Sequence, residues 1–240
     1  MRDDEGGCLE QGRVTAEARG CVPTEMEAVL GLGGLSLCSV ICHLPISASI
    51  LSPMATTYLA LLRGINLGPK NKISMPELAD VFAKAGCQDV RTYIQSGNVI
   101  CEAIPEVSVR LPELITKEIQ KRFSHKVPVM LRTTGEMRGV IRENPFLEEG
   151  AAEDVLHVMF LADLPRPGAV KSLDPGRSPP NRFNVRGKEV YLLCPEGFAR
   201  TKLTSSYFDS KLGTIGTVRS WRTVTKLLEL MEQRRKAVKA

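Results

Sequence analysis

The sequence predicts an α+β fold: two tandem ferredoxin-like (βαββαβ) plaits with a C-terminal helix. Three observations carry that prediction. From Met54 onward, apolar runs and helical periodicities alternate in the order strand, helix, strand, strand, helix, strand. After Asp154 the same order returns, a duplication of structure rather than of obvious sequence. The runs Tyr58–Leu62, Val127–Leu131 and Val155–Leu161 are also largely apolar on both alternating faces. A sheet with one face in water alternates apolar with polar instead. Both faces of each sheet are therefore expected to be covered, by the other plait, by extra helices or by a partner chain.

The first plait is placed at 54–135. Tyr58–Arg63 is its opening strand, and the loop Gly64–Ile73 leads to a helix. Ser74-Met75-Pro76-Glu77 is a capping box with proline in the first turn. Met75, Leu78, Ala79 and Phe82 recur at helical spacing, and Gly86 ends the helix. Val90–Cys101 reads as a hairpin turning at Ser96-Gly97-Asn98. A helix is predicted from about Leu111 to Phe123, with Pro112 in its first turn. Val127–Arg132 closes the plait as a strand.

The second plait, with the C-terminal helix, is placed at 136–240. Thr133–Arg142 is predicted as a connecting helix ended by Asn144-Pro145-Phe146. Val155–Leu161 is a strand and Gly168–Leu173 a short helix. Arg182–Val185 and Glu189–Cys194 form a hairpin about Arg186-Gly187-Lys188. A helix near Ser205–Leu212 and a strand over Thr214–Arg219 follow. The last helix begins near Trp221 and puts Val224, Leu227, Leu228 and Met231 on one face.

Residues 1–53 differ from the rest. They hold three arginines against seven acids, net −4; the whole chain carries +5, so 54–240 carry +9. That excess suits an anionic partner and equally suits simple solubility. Residues 28–51 are apolar and long enough to span a bilayer, but Gly31, Gly33, Gly34 and Pro45 interrupt them, and acids rather than basic residues precede them. The expectation is a disordered or artefactual extension with Met54 as the natural start; the alternative is an anchor or targeting peptide. Cys87, Cys101 and Cys194 stand singly among apolar residues and read as reduced core residues, which fits a cytoplasmic setting. Cys38 and Cys42 have no second ligand pair at zinc spacing. No metal and no cofactor are expected.

The candidate chemistry lies in two places. The first is the loop with Arg63, Asn66, Lys70, Asn71 and Lys72, which backbone N–H groups and a following helix make a candidate oxyanion site. It is not a Walker A loop: three residues separate Gly64 from Gly68, and Asn71 stands where Ser or Thr would hold Mg²⁺. The plain alternative is a strand–helix crossover that needs φ > 0 at its glycines. Gln95, Ser96 and Asn98 of the hairpin face the same sheet end and complete a polar cleft, or simply bond their own turn. The secondary place is Trp221 with Arg219, Arg222 and Lys226, either a stacking platform for a base or a packing anchor. His125 and His157 belong to no triad, and Asn98–Cys101 lacks the aromatics of an RNA-recognition strand.

The run YLALLRGINLGPKNKISMPEL, the hairpin VRTYIQSGNVI, the NPF at Asn144–Phe146 and TVRSWRTVTKL at Thr217–Leu227 resemble the domain-of-unknown-function 1697 family over about Thr57–Glu232. The resemblance implies two fused plait-like subdomains and no established activity. Pro69 departs from the family's usual glycine and removes one backbone N–H from the loop. Three functions are carried forward: binding of an anionic partner (a nucleotide-like molecule or nucleic acid backbone), an enzyme acting on a phosphorylated or anionic small molecule, and an interaction module using apolar sheet faces.

Overall fold

The computed structural model describes residues 55–68 and 72–237, which belong to one compact unit spanning 49–240. The expectations for residues 1–53 and for Met54 lie outside the described residues, as do Pro69, Lys70 and Asn71. Among the described residues, two four-stranded antiparallel sheets and six α-helices make an α+β fold. Strands β1 (Thr56–Leu62), β2 (Gln88–Tyr93), β3 (Asn98–Ala103) and β4 (Val129–Thr133) form the first sheet in the order β2-β3-β1-β4. Strands β5 (Leu156–Leu161), β6 (Arg182–Arg186), β7 (Glu189–Leu193) and β8 (Gly216–Ser220) form the second in the order β6-β7-β5-β8. The central strands correspond: Leu59 faces Arg132 across β1 and β4, as Val158 faces Arg219 across β5 and β8.

Helices fill three layers. On the outer face of the first sheet lie α1 (Met75–Lys84) and α2 (Pro105–Phe123), over Ala60, Leu62, Val99 and Cys101. On the outer face of the second lies α5 (Ser205–Leu212), over Met159, Leu161, Val190 and Leu192. Between the sheets sit α3 (Thr134–Arg142), the short α4 (Pro145–Glu148) and α6 (Trp221–Ala237). One core joins Leu59, Leu61 and Met130 of the first sheet to Val158, Phe160 and Tyr191 of the second through Met137, Val140, Trp221, Val224, Leu227 and Met231. The Tyr191 hydroxyl donates to the Val140 carbonyl at 3.1 Å, and Arg138 of α3 bonds Glu232 of α6 at 2.6 Å. Two-faced apolar strands thus bury both faces against the chain's own helices. A division at 135/136 falls in the first turn of α3.

Local signals explain most boundaries. Ser74 and Glu77 make the reciprocal capping box on α1, and Thr133 and Glu136 repeat it on α3. Three elements differ from the sequence reading. α2 starts at Pro105, so Pro112 lies inside it; Pro105 takes the first helical position, and burial of Leu111, Ile115 and Ile119 offsets the one backbone bond Pro112 cannot make. Asn144 does not merely end a helix: its side chain accepts from the Phe146 N–H at 3.1 Å and starts α4. The expected helix at 168–173 is a single 3₁₀ turn, Ala169–Ser172. Cys87, Cys101 and Cys194 are unpaired and buried. Among the described residues no helix is long and apolar enough to cross a membrane.

Candidate functional site

The loop after β1 is held from inside. Ile65 and Ile73 bury their side chains at its two ends. Asn66, at φ 56°, bridges them: its amide donates to the Ile73 and Gln95 carbonyls, both at 3.0 Å, and its Oδ1 accepts from the Ile73 N–H at 2.8 Å. Asparagine suits this position because it tolerates left-handed backbone and offers donor and acceptor together. Gly97 of the hairpin turn has φ +75°, and a Cβ there would lie 2.9 Å from the Leu62 Cβ. The hairpin therefore presses directly on the end of β1, which only glycine permits.

The sequence-predicted residues separate into two groups. Arg63 turns away from the loop and pairs with the Asp209 carboxylate on α5, whose other oxygen accepts from the Gly216 N–H at 3.0 Å. Asn98 is 0% exposed; its amide donates to the Tyr93 carbonyl and the Ser96 hydroxyl at 3.1 and 2.8 Å. Asn66, Ser96 and Asn98 thus hold the backbone. Lys72 and Gln95 are exposed and, with Asn66, Gly68 and the start of α1, border a groove of about 510 Å³. Ser74 and Glu77 already cap α1 at that groove, and the Ser74 hydrogen bonds pull the Glu77 carboxyl below its usual range. Lys70 and Asn71 lie outside the described residues.

The secondary group is divided as well. Trp221 is 1% exposed and sits in the central core, so neither ring face is open to a base; it is a packing anchor. Arg222 is exposed, and Lys226 pairs with Glu229 at 2.9 Å. Arg219 joins the two candidate groups. Its Nε donates to Asn98 Oδ1 at 2.6 Å, and its Nη2 to the Leu62 and Ser96 carbonyls at 2.8 and 3.0 Å. Nη1 donates to Thr217 and to the Val218 carbonyl. Every acceptor is neutral, and burial pulls the guanidinium down to about 10.

Sequence reasoning missed the counterpart of Arg219. Arg132, on β4, sends Nε to Glu189 at 2.8 Å and Nη2 to the Leu161 and Lys188 carbonyls at 2.8 and 3.2 Å. Each half thus sends an arginine from its last strand to the first-strand end and hairpin of the other. The available signal was the repeat itself: both arginines stand one residue before the Thr or Ser that precedes a helix. Also missed was a cluster of Asp89, Arg91 and Arg234, brought together by folding across 145 residues. Among the described residues no group of His, Cys, Asp and Glu is placed to hold a metal ion.

The family described as protein of unknown function (DUF1697) matches residues 55–191, more than half of the chain, and the chain belongs to that family. The match ends before the Thr217–Leu227 segment that also resembles it. Among solved structures, the chain is similar to the conserved bacterial protein SP0830 from Streptococcus pneumoniae, at 20% identity and a TM-score of 0.60 over 75% of this chain and 99% of that one. That likeness concerns the fold alone. No curated protein matches the chain.

Proposed function

We propose that the chain is a cytoplasmic binding protein for an anionic ligand, a nucleotide-like molecule or a nucleic acid backbone, taken at the groove between the 63–72 loop and the hairpin tip. The observation that carries this is the placement of exposed Lys72 and Gln95 on one groove of about 510 Å³ whose floor Asn66 fixes from below. Exposed polar side chains beside a hydrogen-bonded loop suit a ligand recognised by charge and a few hydrogen bonds. The surplus of basic residues in 54–240 supports the same reading. The fold reading that accompanies it is two ferredoxin-like plaits; the two matching strand orders support this, with the first crossover of the second copy shortened to a 3₁₀ turn.

The test is a thermal-shift screen with adenine nucleotides and a single-stranded oligonucleotide, on the native chain and on Lys72→Ala/Gln95→Ala. A ligand at about 100 times its Kd stabilises the native chain by ~2.7 kcal/mol. The double variant should lose most of that shift, and oligonucleotide binding should weaken steeply with salt. An undiminished shift in the double variant sinks the proposal.

A further inference from the structure

A second cleft shares no lining residue with the groove at the loop. It lies between β2 and the last turns of α6 and encloses about 330 Å³. Its most telling member is Arg234, 5% exposed. Nη2 of Arg234 donates to the Asp89 carbonyl and pairs with the Asp89 carboxylate. Its Nε and Nη1 are buried and have no acceptor. Nε carries one N–H and Nη1 two, so most of the guanidinium's five donors are unused. Unmet donors on a buried charge are costly, and native structures rarely keep them unless something fills the gap.

The charge is also unbalanced. Arg91 donates from Nε to the same Asp89 carboxylate at 3.3 Å, so two guanidinium groups share one carboxylate. Beside these polar groups Tyr93, Ile100 and Leu230 also line the cleft, and they are continuous with the central core. Gln233 is exposed at the rim.

We propose that this cleft binds a small carboxylate with an apolar body, its carboxylate meeting the Arg91 and Arg234 guanidinium groups that line the cleft and its body lying on Tyr93, Ile100 and Leu230. A single anionic charge balances the one that Asp89 leaves over. A planar carboxylate suits a guanidinium better than it suits an ammonium. The volume is at the small end for ligand pockets, which run from about 300 to 1,000 Å³, and limits the ligand to one ring or a short branched chain.

The probe is benzoate, titrated calorimetrically into the full chain, with benzamide as its neutral counterpart and inorganic phosphate as the competing anion. Benzoate should bind saturably and at least about tenfold more tightly than benzamide or phosphate. Arg234→Gln should weaken it by about tenfold or more. Because Arg234 also ties α6 to β2, that variant is paired with Gln233→Trp, which fills the rim and leaves the Asp89 pair intact, and with Arg91→Ala. Both should weaken benzoate in a chain that keeps its melting temperature, and Lys72→Ala should leave it unchanged. The site is refuted if benzoate shows no saturable binding, if benzamide or phosphate binds as well, if Gln233→Trp binds like the native chain, or if Lys72→Ala removes binding.

Discussion

His157 shows how much one buried ring can report. It lies in β5 with its ring stacked on Phe198 at 4.9 Å, and its Nδ1 is buried without a partner. Burial holds its pKa below the usual 6.5. The sign follows directly. Between the depressed folded-state value and 6.5, the unfolded chain binds a proton that the folded chain refuses. Stability therefore falls as pH drops through that window. The melting temperature should decline as pH falls below 6.5, and His157→Phe, which keeps a ring against Phe198, should flatten the decline. Equal slopes in the two proteins would remove His157 as the cause. The sequence placed this histidine in an apolar strand, which is where it lies. What it withheld was the partner: Phe198 is near only because the chain turns back after β7.

Arg132 and Arg219 act on the scale of elements. Each leaves the last strand of one half and gathers the first-strand end and hairpin of the other: Leu161 and Lys188 for Arg132, Leu62 and Ser96 for Arg219. Several fixed carbonyls converge on each planar fork, and a lysine, with three donors on a flexible stem, cannot reproduce that. Arg132→Lys and Arg219→Lys should each lower the unfolding free energy by about 1–3 kcal/mol, because buried carbonyls lose their donors. Urea unfolding checks this, and a double-mutant cycle of Arg219 with Asn98 should show coupling of about 0.5–3 kcal/mol. Losses below about 0.5 kcal/mol would mean that water replaces both staples. Two-faced apolar strands, the capping box at Ser74 and the stripe of the last helix were readable because they depend on near neighbours in sequence. The role of Arg63 was not. Beside Gly64 and Lys72 it looks like part of an anion loop, yet it pairs with Asp209, and no local pattern encodes a contact 146 residues away. The two candidate groups, set apart in sequence, meet at the Arg219–Asn98 bond for the same reason.

On the scale of the whole molecule, the layer between the sheets decides whether either half stands alone. The inner face of the first sheet presents Leu59, Leu61, Ile100 and Met130, and α6, the last element of the chain, covers part of it. Burying such a side chain contributes ~1.5–3 kcal/mol, so baring these residues forfeits roughly 6–12 kcal/mol if all are uncovered. A domain's whole net stability is about 5–15 kcal/mol. Residues 55–148, which keep the first sheet, α1, α2 and α3 but lose α6, should therefore lack a cooperative thermal transition and bind a hydrophobic dye. The full chain should instead lose the near-UV signal of Trp221 and the backbone signal of both sheets in one transition. Two separable transitions, or a cooperative melt of the 55–148 fragment, would show that each half carries its own core. The reciprocal arginines point the other way: each half's first-strand end is completed by a side chain that the other half supplies, so a half released from its partner loses both its cover and its staple.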